Sequence, residues 1–128
     1  MTALRQSTLD AIAGLFERLD YSSLGAIYCD EGGEAFWEER RGPAQQLGIQ
    51  LAEVLLARLP PRGRSLYVGA GVAEIPALIM ETLELGREVR AFNLRASEVT
   101  ILNRACQGLS FAFQAEDARA APNKVDHL

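Results

Sequence analysis

Hydrophobic and polar residues alternate with a helical period over the first half of the chain. Near the N-terminus, a helix is predicted over residues 2–20, with an apolar face made of Leu9, Ile12, Phe16 and Leu19. Residues 21–33 are rich in glycine, serine and aspartate, so we interpret them as an irregular connector. A further helix is predicted to begin at Pro43 and to stop before Pro60, with an apolar stripe made of Leu47, Leu51, Val54, Leu55 and Leu59.

After Pro60 and Pro61 the pattern changes to short apolar runs separated by helices. Strands are predicted at residues 66–68, 88–93 and 109–114, and a fourth is expected to begin at Val125. The helix after the first strand is predicted from a pattern that comprises Ile75, Leu78, Ile79 and Leu83. Gly86 is its expected C-terminal cap, and a third crossover helix is predicted between a capping Ser97 and Gly108.

Alternating strands and helices of this length predict right-handed βαβ crossovers. The expected fold is therefore α/β, a Rossmann-like parallel sheet of three to four strands with helices on both faces. Residues 1–42 are expected to form an N-terminal helical cap, and residues 43–128 a cofactor-binding domain that is incomplete at its C-terminus. An incomplete sheet exposes unpaired N–H and C=O groups, so either the full-length protein is longer or the chain forms a homodimer through this edge.

Composition limits the classes of partner. The net charge of −4 and the pI of about 5.0 give no general attraction to nucleic acid or to an anionic membrane. Cys29 and Cys106 are far apart and lack a C-x-x-C partner, so we expect neither a disulfide framework nor a zinc site. Without a secretory signal or an apolar run of about 18 residues, a cytoplasmic protein is expected.

The stretch between the first strand and its helix contains the motif G-x-G, formed by Gly69, Ala70 and Gly71. Ligands of parallel α/β sheets bind beyond the carboxyl ends of the strands, which is where this turn lies. An NAD site is disfavoured because the third motif position is Glu74 and the second strand ends in Asn93 instead of an acidic residue. A P-loop is excluded because no G-K-S/T follows the glycines.

Three segments in order, LYVGAGVAEIPAL, VRAFNLRASEVTILNRA and LSFAFQAEDARAAP, resemble the cofactor-binding half of the class I, Rossmann-like S-adenosylmethionine-dependent methyltransferases. The resemblance covers about residues 47–128. It implies that S-adenosylmethionine contacts the glycine turn, that the end of the second strand binds the ribose, and that an aspartate after the third strand binds the adenine. The implied cofactor-binding residues are Gly69, Ala70, Gly71, Asn93, Leu94, Asp117 and Ala118.

Three positions depart from the family pattern. Tyr67 stands where the family has an acidic residue, Ala73 stands at the third glycine, and Asn93 replaces the ribose-binding carboxylate. An amide keeps an acceptor oxygen but loses the charge, which is expected to weaken the ribose hydrogen bond by about 1 to 2 kcal/mol. Structural roles compete with the functional ones: the glycines can serve only a tight turn, Asn93 can cap the strand, and Asp117 can be an exposed turn residue.

Catalytic residues are not readable from the sequence. Methyl transfer is an in-line displacement at an activated sulfonium, so it requires positioning more than an acid or a base. The aromatic and charged segment around Trp37 and Arg40 is either a lid over a substrate or a helix with solvated charges. His127 is expected to pack at a strand end, and no nucleophile, base or metal ligand is assigned.

Three classes of function follow. The first is a S-adenosylmethionine-dependent transferase, acting on a small molecule by methyl transfer or by aminocarboxypropyl transfer. The second is a non-catalytic module of the same fold that binds a ligand or a partner. The third is a different nucleotide- or sugar-binding α/β protein, which Glu74 at the helix start disfavours.

Overall fold

The structure is a computed structural model that describes residues 3–19 and 33–115. Several sequence-based expectations lie outside these residues, namely those on the connector up to residue 32, Cys29, Asp117, Ala118, the strand at Val125 and His127. In the first described segment, α1 spans Gln6–Arg18. The second segment begins with the long helix α2, Gly33–Arg58.

An alternating set of strands and helices follows α2. Its elements in chain order are β1 (Arg64–Val68), a single 3₁₀ turn (Val72–Glu74), α3 (Ile75–Leu83), β2 (Glu88–Asn93), α4 (Ala96–Ala105) and β3 (Phe113–Ala115). The three strands form one parallel sheet in the order β1-β2-β3, and the helices flank it. The predicted α/β, Rossmann-like fold is confirmed.

The strand register brings the carboxyl ends of the three strands to one edge. Val68 pairs with Phe92 and Asn93 pairs with Ala115, so the loops after β1 and β2 leave the sheet side by side. Among the described strands β1 pairs only with β2, which leaves its other side open. In the doubly wound order 3-2-1-4 this open side is where a further strand joins.

The hydrophobic core lies between α1, α3 and one face of the sheet. Ile12 and Leu15 of α1 and Leu78 of α3 are completely buried. The sheet contributes Ala91 from the middle of β2, and Phe113 from β3 packs edge to face on Phe111. The predicted apolar faces of α1 and α3 are therefore buried, except that Leu83 at the end of α3 is 48% exposed.

Helix α2 differs most from the sequence-based expectation. It begins ten residues before Pro43 and continues through this proline, which is exposed. The predicted domain boundary after residue 42 therefore falls inside α2, and the division itself stays a prediction. None of the helices within residues 3–19 and 33–115 is long and apolar enough to cross a membrane.

The predicted apolar stripe of α2 is also wrong in part. Leu47 and Val54 are more than half exposed, whereas Gly48 and Ala52 are buried. A β-carbon on Gly48 would lie 2.5 Å from Cγ of Pro76, so α2 approaches the start of α3 more closely than a leucine face allows. The buried face of α2 was mispredicted because small residues make this contact.

Smaller corrections concern the ends of elements. Ser97 does not cap α4, because it is an exposed residue inside the helix, and the cap position is Arg95 without a capping side chain. The strand predicted over residues 109–114 is shorter and starts later, since β3 comprises Phe113–Ala115. Gly86 takes a left-handed conformation after α3 (φ +60°), and the amide of Arg87 donates to the carbonyl of Glu81 there. The boundaries predicted for β2 are confirmed.

Candidate functional site

The glycine turn leaves the carboxyl end of β1 and enters the 3₁₀ turn before α3. Gly69 has a left-handed backbone (φ +72°), which a residue with a side chain adopts only at a cost. Ala70 is buried, and its amide donates to the carbonyl of Phe92 at 3.0 Å. The turn is thus attached to the end of β2, while Gly69 itself stays exposed at the edge of the sheet.

The side chain of Asn93 continues this attachment. Its Nδ2 donates to the carbonyl of Ala70 at 2.8 Å, and its Oδ1 accepts from the amide of Arg95 at 2.9 Å. Asn93 is 9% exposed, so its amide mainly faces its own chain. Leu94, the next residue, is 72% exposed, the largest exposed fraction among the large apolar residues at this edge.

The structure brings together five of the seven predicted cofactor-binding residues. They are Gly69, Ala70 and Gly71 in the turn after β1, Asn93 at the end of β2, and Leu94 in the loop after it. Asp117 and Ala118 lie outside the described residues. Trp37 belongs to the second turn of α2, and Arg40, three residues later in the same helix, is exposed. In residues 3–19 and 33–115 no three acidic, histidine or cysteine side chains form a group that could hold a metal ion.

Tyr67 points away from the glycine turn, although it stands two residues before Gly69. Its hydroxyl donates to Oε2 of Glu81, and the hydroxyl of Ser65 donates to Oε1 of the same carboxylate. Nε of Arg87 lies 2.9 Å from that Oε1, and both charged side chains are buried. We call Ser65, Tyr67, Glu81 and Arg87 the Glu81 cluster.

The Glu81 cluster also ties the loop before β1 to the sheet. The Arg87 guanidinium donates through Nη1 to the carbonyl of Pro60 at 2.8 Å and through Nη2 to the carbonyl of Arg64 at 2.9 Å. Every polar group of the cluster therefore has a partner within the chain. The sequence signal for this cluster, which we missed, is a glutamate three residues after Leu78 on the buried side of α3.

Electrostatics make Tyr67 a donor and not a base. Burial, together with the hydrogen bond to Glu81 and the negative charge of that carboxylate, raises the pKa of Tyr67 far above its ordinary value of 10.0. The phenol therefore stays protonated at any physiological pH. The phenol donates its proton in the hydrogen bond to the Glu81 carboxylate and holds that carboxylate in place.

A shallow groove of about 360 Å³ runs beside β1, at a distance from the glycine turn along the strand. Leu55 of α2 and Leu59, the residue after the helix, form one wall, and residues 64–67 of β1 form the other. The polar groups at its floor belong to the Glu81 cluster and are occupied by one another. The groove is thus a largely apolar surface beside β1, and the side chains of the Glu81 cluster at its floor are not free to orient a small polar ligand.

The charge at the start of α3 bears on the kind of ligand. Glu74 is the last residue of the 3₁₀ turn and directly precedes α3. A carboxylate at the N-terminal end of a helix competes with an anionic ligand for the same backbone N–H groups and dipole. The turn is therefore poorly suited to a phosphate and better suited to a ligand that carries positive charge.

No protein-family model, curated protein or solved structure matches this chain.

Proposed function

We propose that this chain binds S-adenosylmethionine at the carboxyl edge of its sheet and transfers the methyl group to a small molecule. The observation that supports this most is the attachment of the G-x-G turn to the end of β2 through Ala70 and Asn93. An exposed glycine, Gly69, and an exposed leucine, Leu94, lie in the two loops so attached, at the edge where α/β proteins bind ligands.

Charge supports S-adenosylmethionine over a phosphate-bearing nucleotide. The ligand carries a sulfonium and an ammonium group, and Glu74 gives the turn a negative charge at the helix start. Gly69 and Gly71 permit close approach of the backbone, and the exposed side chain of Leu94 offers an apolar surface for a base. From the family resemblance, Asp117 would receive the adenine amino group.

Methyl transfer requires little of the protein beyond the orientation of the two reactants. When bound, S-adenosylmethionine supplies an activated methyl group, so the chain needs to hold an acceptor in line with it and to exclude water. Trp37 and Arg40 are proposed to face the acceptor from α2. The acidic net charge favours a small molecule over nucleic acid as acceptor, and a cytoplasmic location is part of the same proposal.

A non-catalytic module of the same fold is the second candidate. It is favoured by the inward orientation of Tyr67 and Asn93, the two positions where the family places ligand-facing acids. Such a module would bind its ligand without turning it over. Binding without methyl transfer to any acceptor would favour this candidate.

Titration calorimetry with S-adenosylmethionine and S-adenosylhomocysteine tests the proposal. We expect saturable, micromolar binding of both compounds at one site, and weaker binding by the Asp117→Ala variant. Arg58→Ala, an exposed change at the end of α2, is the control that should leave affinity unchanged. Absence of binding to a chain that unfolds cooperatively would refute the proposed function.

A further inference from the structure

One buried side chain holds the two loops of the candidate site to each other. The amide of Asn93 donates to the turn after β1, at the carbonyl of Ala70, and accepts from the loop after β2, at the amide of Arg95. Both distances are below 3.0 Å and the side chain is 9% exposed. Hydrogen bonds of this quality, made in a buried place, restrict the relative motion of the groups they join.

Two consecutive residues of β2 make hydrogen bonds to the backbone of Ala70. Its amide donates to the carbonyl of Phe92, and its carbonyl accepts from the side chain of Asn93. Both polar groups of this buried residue are thereby satisfied. The flanking glycines are flexible by nature, so these two bonds determine where the turn lies relative to Leu94.

We propose that Asn93 is a positioning residue, which sets the spacing between the glycine turn and the loop after β2, and not a group that binds the ribose hydroxyls. The inference rests on the proposed function for the ligand it names. To join the two loops, a single side chain must offer one donor and one acceptor, and an amide supplies both. A carboxylate has no N–H and would set an anionic oxygen against the carbonyl of Ala70.

This inference accounts for asparagine where the family resemblance implies an acid. An aspartate would suit the ribose but would lose the bond to the turn. The two roles therefore predict opposite effects of Asn93→Asp on ligand affinity. If Asn93 binds ribose, the acid strengthens binding, and if it positions the turn, the acid weakens binding.

Asn103 provides a matched control within the chain. Its Nδ2 donates to the carbonyl of Phe113 at 3.0 Å, and its Oδ1 accepts from the amide of Phe113 at 2.7 Å. Asn103→Asp removes the same kind of bond, from β3 instead of the glycine turn. We expect both variants to lower the unfolding midpoint, but only Asn93→Asp to weaken S-adenosylhomocysteine binding, by roughly tenfold. Equal or tighter binding by Asn93→Asp would overturn the inference.

Amide hydrogen exchange gives a second readout that needs no ligand. Asn93→Ala should accelerate exchange of the Arg95 amide, whereas Asn93→Asp should keep it slow because the carboxylate still accepts that bond. If the wild-type chain binds no S-adenosylhomocysteine, the proposed function fails, and this exchange pattern still decides whether Asn93 joins the loops. If the Arg95 amide exchanged at the same rate in Asn93→Ala as in the wild type, the inference that Asn93 joins the two loops would be refuted.

Discussion

Glu81 is the residue to which the other side chains of the buried Glu81 cluster are hydrogen-bonded. Its carboxylate accepts from Ser65, Tyr67 and Arg87, and its side chain is 1% exposed. Burial of a charge is costly unless it is paired and hydrogen-bonded, and here both conditions are met. The cluster joins α3 to β1 and, through Arg87, to the loop before β1. Its role is therefore to fix the strand that leads into the glycine turn.

Replacing Glu81 by leucine is expected to lower the free energy of unfolding by about 3–5 kcal/mol, because Arg87 is left buried without its counter-charge. The double variant Glu81→Leu, Arg87→Leu should recover part of this loss. Urea denaturation measures both. Glu88→Gln is the control, because Glu88 pairs with Arg64 in an exposed ion pair and should change stability by less than about 1 kcal/mol. If Glu81→Leu lowered the free energy of unfolding by less than about 1 kcal/mol, this role of the Glu81 cluster would be contradicted.

Stability is expected to fall as the pH rises above about 9. Burial raises the pKa of the Cys106 thiol from 9.0 to about 12, and that of Tyr67 is raised as well. Above the ordinary thiol pKa the unfolded chain loses protons that the folded chain keeps, so alkali favours unfolding. Urea unfolding at a series of pH values should show this decline, and it should be shallower in Cys106→Ser. An unchanged slope in that variant would exclude Cys106 as a cause.

At the scale of single residues, sequence predicted position better than orientation. Asn93 was expected at the end of β2 and lies there, but its amide faces the chain and not the open edge. The partner of Tyr67, Glu81, is not predictable from the sequence, because a lone glutamate in an apolar helix gives no sign of what it contacts. Partner choice depends on tertiary packing, which spacing along the chain does not contain.

At the scale of elements, the contact between α2 and the start of α3 depends on one glycine. A β-carbon on Gly48 would meet Pro76 at 2.5 Å and the carbonyl of Ala73 at 2.6 Å. Backbone and a proline ring cannot move aside as a flexible side chain can. The close packing of α2 therefore supports the segment that carries the glycine turn into α3.

Gly48→Ala is expected to destabilise the fold by about 1–3 kcal/mol, because the added methyl group overpacks this contact. The control is Gly14→Ala in α1, where the new β-carbon meets only an arginine tip at 3.9 Å. That change should stabilise the protein by about 0.5–1 kcal/mol through helix propensity. Thermal unfolding of the pair measures the difference. Stabilisation by both substitutions would show that α2 packs elsewhere.

Elements with a strong hydrophobic periodicity could be predicted from the sequence, whereas a helix face buried through small residues could not. The alternation in residues 88–93 predicted both ends of β2, because its neighbours are a left-handed glycine and a turn. For α2 the leucine spacing indicated the wrong face, since Gly48 and Ala52 are buried by shape and not by hydrophobicity. A proline at position 43 is typical of a helix start, although an exposed proline can also lie within a helix.

At the scale of the whole molecule, no strand within residues 3–19 and 33–115 pairs with β1 on the side away from β2. The carbonyl of Gly63 accepts from the amide of Glu88 on the β2 side, so by alternation Leu66 and Val68 direct their backbone groups away from β2. Arg87 covers the carbonyl of Arg64 at one end of this side. Val68 at the other end is 49% exposed, and Leu55 and Leu59 flank the groove beside the strand.

The homodimer expected from the sequence stays a prediction, and this edge is where we propose that it forms. Sedimentation velocity should then show a dimer of the wild-type chain at micromolar concentration. Val68→Lys should shift it to a monomer, because a charged side chain on an edge strand opposes strand addition. Leu94→Lys is a control with a charge at the other loop. A wild-type chain that stays monomeric over the whole concentration range would refute the dimer.

We propose that the ligand binds between the glycine turn and the loop after β2. Backbone amide shifts of the folded chain, recorded during titration with S-adenosylhomocysteine, test its location directly. We expect the largest changes at Gly69, Gly71, Leu94 and Asp117, and no change in the groove at Leu55 and Leu59. Changes confined to that groove, or no changes in a chain with dispersed native signals, would contradict it.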